Sequence, residues 1–333
     1  MTVENRQIDD LRTGQNDYMA STVQDQNSPF RILSLDGGGA KGFYSLGVLR
    51  EIEGLAGRRL CDTFDLVFGT STGAIIGALI ALGRSVDEIY TLYREHVPSI
   101  MQPKSAREKT KALAKLASDV FEDAQFTDIR TGLGIVTTKW ALERPFIFKG
   151  DAAQAHGRAA TFVPGFGVPI CEAVQASCSA YPFFDRKIVT TSAGDKIELV
   201  DGGYCANNPT LYAIADATCA LGHRLEDLRV VSVGVGNYPE PKLPILSRMR
   251  WARYLLSVQL LQKTLDINTH SMDQLRSILY RRVPTIRING EYTQPEMATD
   301  LFEHDLGKLS ILHQRGRESF AVEEDRLRQM LQD

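Results

Sequence analysis

Residues 30–43 read FRILSLDGGGAKGF and join a short apolar run to three consecutive glycines. The aliphatic run FRILSL predicts a buried strand, and the glycines predict a turn whose backbone is free of side chains. The segment from Ala40 to Gly57 then shows helical spacing of its apolar residues and ends in glycine, as helices often do. A strand, a glycine turn and a helix in this order predict one unit of an α/β protein.

A second unit of the same kind follows, because the apolar run FDLVFG (64–69) precedes the helical pattern STGAIIGALIALG (71–83). Four later segments have the pattern of strands, namely RPFIFKG, KIELVDGG, LRVVSVGVG and PTIRING. Helices are predicted at 172–180, 209–221, 248–265, 270–281 and 308–331. This alternation predicts an α/β fold in which helices cover both faces of a mostly parallel sheet.

The glycine run has three interpretations, and two of them fail on the neighbouring residues. GGGAKG (37–42) matches the dinucleotide fingerprint G-x-G-x-x-G, but that motif needs an acidic residue at the tip of the second strand, which here ends in glycine. A Walker A loop needs Gly-Lys-Ser/Thr, which is missing. The remaining interpretation is a nest of backbone N–H groups at a helix N-terminus, beside Lys41, that stabilises an oxyanion.

The sequence GTSTG, from Gly69 to Gly73, matches the G-x-S-x-G pattern of a nucleophile elbow. It lies between a predicted strand and a predicted helix, which is the context that the pattern requires. A serine on such a turn projects its hydroxyl outward, and the helix N-terminus favours a developing anion. Ser71 is therefore a candidate nucleophile, although glycine-rich turns without catalytic function are common in α/β proteins.

The base that would activate Ser71 has two candidates. A His-based triad would use one of six histidines, of which His304 is the best placed. Alternatively, Asp201 ends an apolar strand and is followed by Gly202 and Gly203, and burial would raise the pKa of its carboxyl and make it a better base. Asp-Gly-Gly is also a strong turn signal, so the residues alone leave the role of Asp201 open.

The composition narrows the class of protein. The chain has 333 residues and a net charge of −3, so no basic field attracts it to nucleic acid. Its five cysteines are odd in number and include no CxxC pair, which favours reduced thiols in a cytoplasm over disulfides or a zinc site. The apolar stretch 66–83 is interrupted by Gly, Ser and Thr, which favours a buried strand and helix over a membrane span. We expect a cytoplasmic protein that meets a membrane only at its inner surface.

Three further segments are recognisable by their polar or basic composition. Residues 1–28 are polar and predict a flexible N-terminal arm without a secretory signal. Residues 101–123 and 248–265 are basic and amphipathic, so each predicts either a helix with a solvated face or a cap or membrane-facing surface. Residues 101–123 are the candidate cap. Arginines that could pair with phosphates, or simply lie in solvent, are Arg248, Arg250 and Arg253.

Taken in order, DGGGAKG, GTSTG and DGG resemble the motifs of the patatin-like phospholipases. ICEAVQASCSAYPFF, VDGGYCANNPTLYAI and VVSVGVGN are also similar to segments of that family, and together the likeness covers roughly residues 30–240. The resemblance implies a three-layer α/β/α fold with a phospholipase domain at 29–290 and a helical C-terminal extension at 291–333 packed on it.

The resemblance also implies a chemistry. Ser71 would be the nucleophile and Asp201 the base, without histidine and without metal, in the hydrolysis of fatty acyl esters of phospholipids through an acyl-enzyme. The oxyanion hole would be formed by Gly37, Gly38 and Gly39. Many family members have arginine where this chain has Lys41, which leaves the role of Lys41 open. The other motif residues are Gly42, Gly69, Gly73, Gly202 and Gly203.

The compact form and helical C-terminal third resemble bacterial patatin effectors of anti-phage signalling, which cyclic dinucleotides such as cyclic GMP-AMP switch on. The expected partners are a membrane phospholipid and a cyclic dinucleotide from a partner cyclase, and the amphipathic C-terminal end is a candidate contact in a homo-oligomer. Two alternatives remain at this stage. One is a constitutive lipid acyl hydrolase, and the other is a nucleotide-binding module without catalysis, which would not need Ser71.

Overall fold

The computed structural model of the chain describes residues 28–102, 105–156, 161–241 and 251–332. The predicted arm at 1–28 lies outside this part except for Ser28, as do Lys104 of the candidate cap and Arg248 and Arg250. Residues Phe30–Gln332 form one compact unit.

The core of this unit is one mixed eight-stranded sheet. Its strands are β1 (Phe30–Leu35), β2 (Leu66–Thr70), β3 (Gly132–Lys139), β4 (Arg144–Lys149), β5 (Lys187–Thr190), β6 (Lys196–Asp201), β7 (Leu228–Val233) and β8 (Thr285–Ile288). The order across the sheet is β5-β6-β3-β2-β1-β7-β8, with β4 paired to β3 outside this path. Strands β3, β2, β1, β7 and β8 are parallel neighbours, and β4, β6 and β5 join by antiparallel pairing.

The sequence patterns did not predict β3 or β5. Strand β3 has glycine at 132 and 134 and two threonines near its end, so it lacks the continuous apolar run that marks a buried parallel strand. Gly134 leaves space that the Phe68 ring of β2 fills, so the missing side chain is supplied by the neighbouring strand. Strand β5 is only four residues long and lies at the edge of the sheet.

Nine α-helices surround the sheet within the described residues. They are α1 (Gly42–Ala56), α2 (Thr72–Ala81), α3 (Val86–Met101), α4 (Ala106–Phe121), α5 (Ile170–Ser177), α6 (Gly203–Ala206), α7 (Thr210–Ala215), α8 (Trp251–Leu279) and α9 (Leu306–Gln332). Among these helices, none is long and apolar enough to cross a bilayer.

Alternate residues of the central strands enter two separate apolar cores. Leu33 and Val67 pack with α1 and α2 on one face, whereas Ile32 and Phe68 pack with α7 on the other. Side chains of a strand alternate between the faces, so both faces must be covered. The predicted α/β fold with helices on both faces is therefore confirmed.

The two helices predicted at 248–265 and 270–281 form the single helix α8. The residues between the two predicted helices are polar, but the side chains of two of these residues make hydrogen bonds to another segment. Asn268 Oδ1 accepts from Asn207 N at 2.8 Å, and Thr269 Oγ1 accepts from Asn207 Nδ2 at 2.8 Å. These bonds attach α8 to the segment that follows Asp201.

The C-terminal helix α9 packs closely on α1. Any Cβ on Gly47 of α1 would collide with the carbonyl of His313, and any Cβ on Gly316 of α9 would collide with that of Tyr44. The two glycines allow the helix backbones to approach to contact distance. The last helix thus covers the first helix of the fold.

Candidate active site

Ser71 lies at the sharp turn between β2 and α2. Its backbone has φ 53° and ψ −121°, a conformation that L-residues rarely adopt outside strained functional turns. A Cβ on Gly69 would collide with the carbonyl of Gly73, and one on Gly73 with the carbonyl of Leu35. The glycines of GTSTG therefore permit the close strand–helix contact that a nucleophile elbow requires.

Strand β3 brings Asp201 to Ser71. Thr70 of β2 pairs with Val136, and Asp201 of β6 pairs with the next residue, Thr137. Because β4 occupies the other edge of β3 along Gly134–Lys139, β2 and β6 must follow each other along the same edge. The end of β2 and the end of β6 therefore meet.

Ser71 and Asp201 are directly hydrogen-bonded. The Ser71 hydroxyl donates to Asp201 Oδ2 at 2.7 Å, and Gly203 N donates to Asp201 Oδ1 at 2.7 Å. Burial raises the pKa of the Asp201 carboxyl to about 6, and the bonds from Gly203 and Ser71 oppose that shift. A carboxylate with this pKa is ionised at neutral pH and is a stronger base than an exposed aspartate.

Two serines after the predicted nucleophile hold this pair in place. Ser177 Oγ accepts from Ser71 N at 2.9 Å and donates to Val136 O at 2.6 Å. The carbonyl of Ser179 accepts from Asp201 N at 3.0 Å. Sequence reasoning missed both residues as parts of the site, since a serine near a helix end carries no signal of a partner 106 residues away.

The glycine loop offers two amides rather than three. Gly37 N donates to Asn207 O at 3.0 Å, and Ala40 N donates to Leu301 O at 3.0 Å. Among the described residues, the amides of Gly38 and Gly39 have no acceptor, and both glycines line the cavity that contains Ser71. The expectation that Gly37 also donates to an oxyanion is therefore corrected, because its N–H already has a partner.

Lys41 lies beneath the loop and is only 2% exposed. Burial lowers the pKa of its ammonium, while the charges of Asp266, Asp300 and Asp36 raise it. Asp36 is itself held by Arg287 in a two-pronged ion pair, with Nη1 to Oδ1 at 2.9 Å. The position of Lys41 supports a role in fixing the loop rather than contact with a substrate phosphate.

The other motif glycines lie at close approaches around the pair. Gly42 is the first residue of α1, and a Cβ there would meet Thr72 Oγ1 at 2.5 Å. A Cβ on Gly202 would collide with the carbonyl of Val136. Gly203 supplies the N–H that binds Asp201.

The dyad cavity is the space lined by Gly38, Gly39, Ser71 and Asp201, and it has a volume of about 60 Å³. Its remaining wall is almost entirely apolar and comes from α2, α3, α4, α8, the segment after α5 and the loop before α9. The apolar wall includes Leu113, Leu116, Leu261, Leu265, Leu301 and Phe302. The volume is well below the roughly 300–1,000 Å³ of small-molecule sites, so enclosing a long acyl chain requires movement of this wall.

No histidine takes part in the site. All six histidines are in the described part of the chain, and none bonds to Ser71 or Asp201. His304 is exposed, and its Nδ1 lies 3.2 Å from the carbonyl of Phe302. The triad alternative is therefore wrong for this arrangement. Across the same described residues, no group of three or more His, Cys, Asp or Glu side chains could hold a metal ion.

Comparison with known proteins gives matches across most of the chain. The profile of the patatin-like phospholipases matches residues 33–214. The chain is 64% identical over 301 residues to the cUMP-AMP-activated phospholipase of Escherichia coli, covering 90% of this chain and 93% of that protein. It is 28% identical over 234 residues to the cGAMP-activated phospholipase of Vibrio cholerae, covering 61% of this chain and 63% of that protein.

Solved structures support the same fold. VipD from Legionella pneumophila has a TM-score of 0.50 at 14% identity, covering 92% of this chain and 67% of that one. Human GIVD cytosolic phospholipase A2 also has a TM-score of 0.50, at 11% identity, covering 93% of this chain and 61% of that one. The profile match and the high identity over nearly the whole length show that the chain belongs to the patatin-like phospholipase family, whose members are hydrolases.

Proposed function

We propose that this chain hydrolyses fatty acyl esters of membrane phospholipids with a Ser71–Asp201 dyad and that cyclic UMP-AMP switches it on. The observation that carries the catalytic part is the direct bond from the Ser71 hydroxyl to Asp201, at 2.7 Å, on a strained elbow. A non-catalytic nucleotide-binding module has no need of this pair, which argues against that alternative.

In the first step, Asp201 accepts the proton of the Ser71 hydroxyl while Oγ attacks the ester carbonyl carbon. The tetrahedral oxyanion accepts hydrogen bonds from the N–H groups of Gly38 and Gly39. Asp201 then returns the proton to the departing alkoxide of the lysophospholipid, which leaves an acyl ester on Ser71. Water then attacks the acyl carbon while Asp201 accepts its proton, and Asp201 returns that proton to Ser71 Oγ as the fatty acid leaves.

The acyl chain is proposed to occupy a widened form of the dyad cavity, whose wall is apolar. Leu113 and Leu116 belong to α4, within the candidate cap at 101–123. Phe302 lies against the same helix, with Lys109 Nζ 3.7 Å from the centre of its ring. We therefore assign α4 and the Leu301–Phe302 segment as the lid that must move to admit substrate.

Peripheral contact with the membrane is assigned to the outer face of α8. Leu261 and Leu265 of this helix line the dyad cavity, while Leu260 and Ile267 are 69% and 68% exposed. An exposed apolar stripe on a helix beside the catalytic cavity suits insertion into the lipid surface. Arg253 lies in the same helix.

Control by cyclic UMP-AMP is supported by the name of the 64% identical relative, whereas the two cGAMP-activated relatives are 28% and 25% identical. We therefore propose cyclic UMP-AMP as the activator, in place of cyclic GMP-AMP, the example given by the resemblance to bacterial effectors. A partner cyclase would supply it, and destruction of the cell's own membrane during phage infection is the role proposed for the switched enzyme. The small volume of the apolar cavity beside Ser71 favours this regulated function over a constitutive hydrolase.

The deciding experiment measures fatty acid release from phospholipid vesicles, with and without cyclic UMP-AMP or cyclic GMP-AMP. Ser71→Ala and Asp201→Asn should each lower release roughly 10⁴-fold or more. Ser310→Ala, an exposed serine on α9, is the matched control and should behave as wild type. Activity that survives Ser71→Ala would refute the dyad, and strong release without nucleotide would leave the constitutive hydrolase.

A further inference from the structure

A second and larger cavity lies beside strand β4. This β4 cavity has a volume of about 720 Å³ and shares no lining residue with the dyad cavity. Its walls are the end of β3, strand β4, residues 154–156, 161–163 and 166, the β5–β6 turn and helix α7. The volume falls within the roughly 300–1,000 Å³ of small-molecule sites.

The floor of the β4 cavity is a buried charge cluster on Asp216. Its carboxylate accepts from Lys149 Nζ at 2.5 Å and from Gln154 Nε2 at 3.2 Å, and His156 Nε2 lies 2.8 Å from Oδ1. The Asp216 side chain is only 4% exposed, so the pairing with Lys149 neutralises it in place. Lys149, Gln154 and His156 all line the cavity, so the cluster gives it a polar floor.

The wall combines a cation with aromatic rings. Lys139 Nζ lies 4.6 Å from the centre of the Phe146 ring, and Phe146 stacks on Phe166 at 4.7 Å. Among the described residues, no carboxylate lies within ion-pair distance of Lys139. Phe166 and Lys139 already cover the Phe146 ring, so a planar base would stack on the partly buried Phe166 side of this pair. An aromatic pair next to a cation without an acidic partner forms a surface suited to a nucleotide.

Backbone strain also concentrates at this cavity. His156 and Phe166, which both line it, have φ of +48° and +57°, and the Asp216–Ala220 turn of helix is a π-helix. Strained residues and π-turns persist where the surrounding structure holds them and occur often at functional sites. The dyad itself uses neither His156, Phe166 nor Asp216.

We infer that the β4 cavity is the binding site for the cyclic dinucleotide, with Lys139 contacting a phosphodiester and the Phe146–Phe166 stack contacting a base. This assignment rests on the proposed nucleotide control and adds where the activator binds. Lys149 and His156 keep their contacts with the Asp216 carboxylate and form the polar floor of the site. Asp195 on the rim offers a carboxylate to the N–H groups of a base.

The cavity wall connects directly to the base of the dyad. Thr137 Oγ1 donates to the carbonyl of Phe146 at 2.5 Å, and Thr138 Oγ1 donates to the carbonyl of Asp201 at 3.0 Å. Ile197 of the wall lies on β6, the strand that ends in Asp201. A ligand that moves β4 or the β5–β6 turn therefore acts on the strands that carry Asp201.

The test measures direct binding of cyclic UMP-AMP by calorimetry and nucleotide-stimulated lipid hydrolysis. Lys139→Gln removes the free cation, and loss of a charge-assisted contact of 1.5–3 kcal/mol should weaken binding roughly 10- to 100-fold. Ala193→Trp fills the cavity from the exposed β5–β6 turn and should abolish binding. Lys196→Gln on the same hairpin and Ala141→Trp on the β3–β4 turn are matched controls outside the cavity.

Circular dichroism spectra and melting temperatures should be similar in all five proteins, which shows that the variants are folded. If wild type binds cyclic UMP-AMP and both cavity variants bind it equally well, the site lies elsewhere and the inference is wrong. Displacement of the nucleotide by soluble glycerol phosphate would instead identify a lipid headgroup site. If wild type binds no cyclic dinucleotide, the proposed nucleotide control fails and this assignment fails with it.

Discussion

The dyad cavity and the β4 cavity differ in almost every physical property. The first has about 60 Å³ of space behind apolar walls, and the pair that we propose as catalytic is already hydrogen-bonded. The second has about 720 Å³, and its floor and walls carry ion-paired and unpaired charges. The proposed catalytic groups are thus already assembled beside a small apolar cavity, with Ser71 partly exposed, while the other cavity is much larger. We propose that activation widens the path to Ser71 rather than building the dyad.

Among substitutions that leave Ser71 and Asp201 in place, the largest effect is expected from Gly38→Ala, which should damage only the dyad cavity. The new Cβ would meet Val235 Cγ2 at 2.6 Å, so the loop must shift and its N–H must leave the oxyanion. Loss of one oxyanion donor should lower kcat by roughly 10²–10³-fold. Gly54→Ala on α1 is the control, because its Cβ would meet nothing within 4 Å. Unchanged kcat, or a parallel loss of cyclic UMP-AMP binding, would contradict the separation of the two cavities.

Asp201→Asn should stabilise the fold while it removes activity. The pKa of Asp201 is raised from 3.8 to about 6, so the folded state holds this proton more tightly than the unfolded state does. Raising the pH from about 4 to about 6 therefore lowers stability, because the unfolded state ionises first, by up to about 3 kcal/mol at 1.36 kcal/mol per pKa unit. The difference in unfolding free energy between variant and wild type should grow from pH 4 to pH 6 and then stay constant. A wild type that is more stable than the variant at pH 8 would count against the burial argument.

The same pKa sets the acid limit of catalysis. Asp201 must be ionised to accept the Ser71 proton, so kcat/KM should fall about tenfold per pH unit below pH 6. The measurement is a pH profile with a soluble short-chain ester at saturating cyclic UMP-AMP, with nucleotide binding followed in parallel. A rate that stays flat down to pH 4 would mean that Asp201 has an ordinary pKa or is not the base.

A smaller effect on hydrolysis without nucleotide is expected from a substitution in the proposed lid of the dyad cavity. Phe302→Ala removes a ring that contacts Lys109, Phe183 and Phe184 at the mouth of the dyad cavity. We expect hydrolysis without nucleotide to rise several-fold, on the order of a 1 kcal/mol change in the opening equilibrium. Val322→Ala, an 81% exposed residue on α9, is the control. Unchanged basal activity with normal stimulation by cyclic UMP-AMP would exclude the Leu301–Phe302 segment as the lid.

Much of the fold and the catalytic pair could be predicted from local patterns. The strand–glycine–helix units around DGGGAKG and GTSTG have short-range signals, and Asp201 was found because a strand end and two glycines are adjacent in sequence. These features depend on residues within about ten positions of one another. The sequence alone was therefore sufficient for the fold class and for Ser71 and Asp201 as candidates.

Contacts between distant segments decided the rest. Strand β3 pairs with both β2 and β6 and so brings Ser71 and Asp201 together. Its glycines hide the apolar pattern of a strand, because the Phe68 ring of β2 fills the space beside Gly134. The amide of Gly37 is occupied by Asn207, and Lys149 meets Asp216 across 67 residues. Pairing, closure and cavity volume arise only when such segments are packed together, since no local propensity encodes a partner far along the chain.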